Sequence, residues 1–180
     1  MGTDRFALTV LSARDIPDLY AHFSQPEVTE FLDIGPLQSL EDAASIVIWA
    51  ESLLRDARGV RWSIRERESG EFLGTCGFNT LVRERGSRAE VAYDLRAKVW
   101  GKGIMHEVLS TVVPVGLSSL MVHRIEAFVT PGNHRSERLL TKLGFHLEGH
   151  LRAYAYWKGR FWDQRLYSLL ASDWQSPNAA

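Results

Sequence analysis

The chain of 180 residues has a single cysteine, Cys76, so no internal disulfide can form and nothing points to an oxidising compartment. Set in FLGTCGF between apolar strand residues, this cysteine reads as a small buried filler rather than a nucleophile. There is no excess of charge: 21 Lys and Arg stand against 22 Asp and Glu, a formal net charge of −1, which gives no electrostatic reason to expect nucleic acid as a partner. No apolar run reaches membrane length. The N-terminal MGTDRFALTV lacks a charged-then-apolar leader pattern and the Ser or Thr that a myristoylation signal wants at position 6, so a soluble cytoplasmic protein is expected, without membrane attachment. The histidines at 106, 123, 134, 146 and 150 do not combine with a cysteine in any metal-ligand spacing, and no metal is expected. No repeat, low-complexity tract or linker divides the chain. One domain over residues 1–175 is expected, with 176–180 as an unstructured tail.

Apolar residues make up 45% of the sequence and charged residues 24%, the composition of an ordinary packed domain. Alternation marks strands over Phe6 to Leu11, Arg61 to Arg65, Glu71 to Thr80, Ala89 to Leu95, Arg124 to Thr130, Phe145 to Tyr156 and Phe161 to Leu170. Helices are predicted from Ser12 to His22, from Ser39 to Asp56, from Gly103 to Leu120 and from Asn133 to Leu143. Ser39, three residues before Asp42, is a capping pair, and Gly144 is a helix stop. Pro114 and Gly116 fall inside the third helix. An interior proline costs about 3 kcal/mol through a lost hydrogen bond and a ring clash, so a kink or early end is expected there. The order of elements predicts an α+β fold: a mixed, mostly antiparallel sheet with helices on both faces.

The most informative stretch is RAEVAYDLRAKVWGKGIM, residues 88–105. A strand ends in the turn Trp100-Gly101-Lys102-Gly103 and a helix opens at about Ile104. The first turn of a helix has unpartnered main-chain N–H groups and a partly positive dipole end, and glycines before it let a diphosphate approach. Two glycines also occur in such turns for steric reasons alone. The pattern is not the dinucleotide fingerprint, because position 106 is His, and it is not a P-loop, because no Ser or Thr follows Lys102.

AEVAYDL, WGKGIM, VTPGNHRSERLLTKLGFHLEGHLR and WDQRLYSLL, in this order and spacing, resemble the GNAT family of N-acetyltransferases, over roughly Phe6 to Trp174. Within it the chain is similar to the branch that acetylates N-terminal amines of ribosomal proteins. The resemblance implies the GNAT (acyl-CoA N-acyltransferase) fold and acetyl-CoA as co-substrate. The diphosphate would lie on the N–H groups of Val99, Trp100, Gly101, Lys102, Gly103, Ile104 and Met105, with Lys98 supplying a cation. The pantetheine arm would pair beside Tyr93, Asp94 and Leu95, where the family's sheet splays open. Asn133, which also reads as a plain N-cap, would bond the pantetheine, and Ser136 would protonate the leaving thiolate. The family's Tyr acid is excluded, because its position here is Leu140. Glu90 is the candidate general base; it also reads as a surface carboxylate paired with Arg88 or another base. A carboxylate that some relatives carry in the strand after LEG is replaced by Ala155. The loop from Phe31 and Leu32 to Pro36 would line the acceptor cleft, and Asp163 would fix the last hairpin.

Amine acidity bears on the acceptor. An α-amine has a pKa of about 7.7–8.0 and a lysine about 10.4, so deprotonation at pH 7 costs about 1.2 and 4.6 kcal/mol respectively. A site without a strongly placed carboxylate therefore suits a protein N-terminus. A small-molecule amine (antibiotic, polyamine or metabolite) is the alternative acceptor, and a non-catalytic acyl-CoA-binding module the alternative of another class. Edge strands of such folds often pair, so a homodimer is also an expectation.

Overall fold

The computed structural model describes residues 1–84 and 86–174. The expectation for the tail at 176–180 lies outside them. Among the described residues seven strands form one sheet: β1 (Phe6–Val10), β2 (Val60–Glu66), β3 (Phe72–Val82), β4 (Arg88–Leu95), β5 (Arg124–Val129), β6 (His146–Trp157) and β7 (Arg160–Leu170). They lie in the order β1-β2-β3-β4-β5-β7-β6. All neighbours are antiparallel except β4 and β5, which run parallel.

One face of the sheet carries α1 (Ile16–Phe23), the short α2 (Pro26–Thr29) and α3 (Leu40–Arg55). α3 begins where the sequence places it. Ser39 Oγ accepts from Asp42 N at 3.2 Å while Asp42 Oδ2 accepts from Ser39 N at 3.0 Å, a reciprocal cap. Its buried Ala43, Val47, Ala50 and Leu53 recur at helical spacing, and the first three pack with Leu19, Phe23 and Phe72. Each such large apolar side chain contributes about 1.5–3 kcal/mol by leaving water.

The other face carries α4 (Ile104–Pro114) and α5 (His134–Lys142). Val108, Leu109, Val112 and Val113 of α4 have no exposed surface and pack with Phe78, Val91, Ile125 and Leu140. The proline acts as expected, through an end rather than a kink. The α-helix stops at Pro114 and Val115–Ser119 continues as a π-turn, with Leu120 N donating to Val115 O at 2.9 Å. Cys76 is fully buried, and burial pushes its thiol up to about 12, which fits the filler reading.

The feature that positions the site is a failure of pairing. β4 and β5 are in register only at Arg88↔Arg124, Ala89↔Ile125 and Glu90↔Glu126. Beyond Glu90 the strands part, leaving one edge of Val91 to Leu95 open in the middle of the sheet.

Candidate active site

β4 presents its side chains alternately to two sides. Val91, Tyr93 and Leu95 belong with the α4 and α5 core, whereas Ala92 and Asp94 line a cavity under α3. On the α4 side the chain leaves β4 through the glycine turn. Trp100 is fixed there by a bond from Nε1 to Leu95 O at 2.8 Å. Gly101 and Gly103 have φ of 76° and 74°, a region that suits glycine. A Cβ built on either would meet nothing within 4 Å, so the space above the turn is open. Gly103 is the N-cap of α4 and brings no side chain to cap it, so the leading N–H groups face that space unanswered. This is a cradle for an anion, and the residues fit a coenzyme diphosphate.

Lys98, expected as the cation of this cradle, is engaged by a carboxylate. Its ammonium pairs with Glu71, which Arg96 also approaches at 3.6 Å, and the Lys98 contact is the main cause that holds the Glu71 carboxyl low. A pocket of about 280 Å³ on that side of the turn is lined by Arg5, Glu66, Glu71, Lys98 and Lys102.

Across the open edge stands the start of α5. Asn133 Oδ1 accepts from Ser136 N at 3.2 Å, so the N-cap reading of Asn133 is realised. Ser136 Oγ lies 2.7 Å from Tyr93 Oη. Burial pushes the Tyr93 phenol up, which keeps its proton on. The sequence reading used only the main chain of Tyr93 and missed this hydroxyl, whose partner lies 43 residues away. Leu140 is buried in the core.

On the other side of β4 a cavity of about 550 Å³ opens. Leu32, Ile34, Ile46 and Trp49 are among its walls, so the loop after α2 does line it. Trp49 is 41% exposed on that wall. The floor is polar. Arg61, only 7% exposed, donates to Asn79 Oδ1 at 3.3 Å, to Ala92 O at 2.9 Å, to Asp94 Oδ2 at 3.3 Å and to Thr75 Oγ1. Asp94 also accepts from Thr75 N at 2.9 Å and Thr75 Oγ1 at 2.6 Å, and its Oδ1 lies 2.7 Å from His22 Nε2. Burial pushes the Asp94 carboxyl up, but His22, Arg61 and Thr75 together win and hold it below the ordinary range. Nothing in the sequence flagged His22 or Arg61.

Glu90 sits at the last position of β4 that pairs with β5. It is not the surface ion pair of the alternative reading: Arg88 approaches Glu126 at 3.5 Å, and the hydrogen bond made by Glu90 is from Thr80 Oγ1 at 3.4 Å. Burial raises its carboxyl, and the neighbouring Asp33 and Glu126 raise it further. Asp163 holds the last hairpin, accepting from Ala153 N at 2.8 Å and meeting His150 Nε2 at 2.7 Å. Among the described residues no group of three or more His, Cys, Asp and Glu could hold a metal, and no helix is long and apolar enough to cross a membrane.

A central strand edge left open between an anion cradle and a second cavity is the arrangement of an acyl-group transferase, with donor and acceptor meeting at one strand. The acetyltransferase (GNAT) domain model matches residues 5–146, and the chain belongs to that family as an acetyl-CoA-dependent N-acetyltransferase. It is 38% identical over 170 residues to the uncharacterized N-acetyltransferase YoaA of Bacillus subtilis, covering 94% of this chain and 96% of that protein. It is 34% identical over 104 residues to the ribosomal protein uS5-alanine N-acetyltransferase of Escherichia coli, covering 58% of this chain and 54% of that protein. The fold superposes on a ribosomal-protein-S5-alanine acetyltransferase from Vibrio fischeri with a TM-score of 0.81 at 21% identity, over 97% of this chain and 98% of that one.

Proposed function

We propose that this N-acetyltransferase acts on the N-terminal α-amine of a protein, such as a ribosomal protein. One observation carries the reading: the side-chain amide of Asn79 on the acceptor-side cavity, one residue from the Thr80 that pairs with Glu90. A bulge in β3 between Phe78 and Thr80 leaves Asn79 unpaired in the β3–β4 ladder and sets it on the cavity, next to Thr80, which stands opposite Glu90. Arg61 can only donate, so it fixes Asn79 Oδ1 as the acceptor and leaves the Asn79 NH₂ as a donor for the cavity. A peptide N-terminus offers a carbonyl oxygen one residue's reach from its amine. A polyamine offers none.

The residues then divide the work. Bound acetyl-CoA supplies an activated thioester. Glu90 takes the ammonium proton of the acceptor; its raised carboxyl suits an amine that needs little help. Main-chain groups of Tyr93 to Leu95 orient the acyl carbonyl along the open strand. Ser136 Oγ, backed by Tyr93 Oη at 2.7 Å, holds a proton at the head of α5 for the departing group. Asn133, beside it, offers its amide to the pantetheine.

The test is incubation with acetyl-CoA and a library of peptides with varied N-termini, alongside polyamines and small metabolic amines, reading free thiol and mapping modified peptides by mass. The expected result is α-amine acetylation of peptides, weakened severalfold in KM by Asn79→Leu. Turnover of polyamines alone, or modification of lysine side chains alone, refutes the reading.

A further inference from the structure

We infer that Arg135 is the side chain that pairs with the diphosphate of the coenzyme, presented for that purpose by Trp100. The inference rests on the donor-side reading above. A diphosphate in the glycine turn meets neutral N–H groups and a dipole end. Lys98 is paired with Glu71, and Lys102 lines the same small pocket. A further cation stands at the head of α5.

Arg135 stands there. It is an exposed residue in the first turn of α5, and its guanidinium carbon lies 4.4 Å from the centroid of the Trp100 ring. Trp100 precedes Gly101 and is locked by its bond to Leu95 O. The ring is therefore a fixed platform at the edge of the cradle. A guanidinium stacked on an aromatic face uses its π surface, and its N–H groups stay in plane for a bidentate contact with phosphate oxygens. No ion pair competes. Among the described residues Arg135 has no carboxylate partner, and Glu137 on the same helix is engaged by His134 at 3.2 Å and Arg165 at 2.6 Å. The adjacent Ser136 meets Tyr93 across the open edge, so this turn of α5 faces the cleft. A lysine could carry the charge but could neither stack as a plane nor bind as a fork.

The test is calorimetric binding of CoA and of dephospho-CoA, which lacks the 3′-phosphate, to wild type, Arg135→Ala, Arg135→Lys and Trp100→Leu, with melting of each free protein alongside. The expected result is affinity about tenfold weaker for Arg135→Ala toward both ligands, with an unchanged melting temperature in the free state. Arg135→Lys and Trp100→Leu should fall between. Equal affinity of wild type and Arg135→Ala would overturn the assignment. So would a loss that vanishes with dephospho-CoA, which moves the contact to the 3′-phosphate, or a loss matched by a lower melting temperature of the free protein. A wild type that binds neither ligand would instead refute the donor-side reading, and the inference with it.

Discussion

Glu90 is held in a state that favours its neutral form, and a base must be ionised. The rate of acetyl transfer should therefore rise with pH through a value above 4.5, the ordinary glutamate figure. Glu90→Gln should remove that limb and lower kcat/KM at pH 7 by about 10²-fold, read from a pH–rate profile. The same burial predicts a stability gain. A carboxyl raised on folding stabilises below its unfolded pKa, and the contribution is lost as pH rises through the folded value. Glu90→Gln should consequently melt above wild type at pH 7, with the difference closing near pH 4. Asp94 has the opposite sign. Its folded value is depressed below 3.8, so its contribution is present above that figure and lost as pH falls through the folded value. Asp94→Asn leaves Arg61 and His22 without a charged partner and should cost about 3 kcal/mol in urea unfolding at pH 7, less at pH 3. These two carboxylates differ in how far the sequence exposed them. Glu90 stood in a motif with its context attached. The role of Asp94 depends on His22, 72 residues away, and on Arg61, 33 away, and no local pattern links three side chains on three elements.

At the scale of elements the sequence was most legible where one local rule dominates. α3 announced itself by its Ser39–Asp42 cap, and β6 and β7 by their alternation; Lys158 and Gly159, both at positive φ, make the tight turn between them. What stayed hidden was register. The bulge that sets Asn79 on the cavity, and the parting of β4 from β5 after Glu90, depend on how strands meet rather than on which side chains alternate. The end of α4 shows both cases. Pro114 signalled the stop, but the reason for Gly116 is tertiary: a Cβ there would lie 2.8 Å from the Phe78 ring and 3.0 Å from Ile125 Cδ1. Both neighbours are fully buried, so neither can retreat without disturbing the core. Gly116→Ala should lower stability by about 1–3 kcal/mol through this overpacking, despite alanine's better helix propensity. An equilibrium denaturation series would check the sign; stabilisation would mean that the π-turn moves freely.

At the scale of the molecule, the sheet is two antiparallel blocks, β1 to β4 and β5 to β7, joined along β4 and β5 by three register pairs. The helices bridge them, with α4 and α5 contributing to one core shared by both blocks. The sequence shows the strands and the glycine turn after β4 but not the seam, because a missing ladder has no residue signature. A ligand arm lying against Val91 to Leu95 would supply hydrogen bonds that β5 does not. Binding should then act on the whole fold. At a hundred times its Kd, CoA should add about 2.7 kcal/mol, which for a chain of this size raises the melting temperature by roughly 5–10 °C. The local signature is sharper. Hydrogen exchange should slow at the amides of β4 beyond Glu90 and of β5 beyond Glu126, as well as at the head of α4, while β1 and β2 change little. Protection confined to α4 would mean that the diphosphate is gripped but the arm does not enter the seam, and the open strand would then lose its place in catalysis.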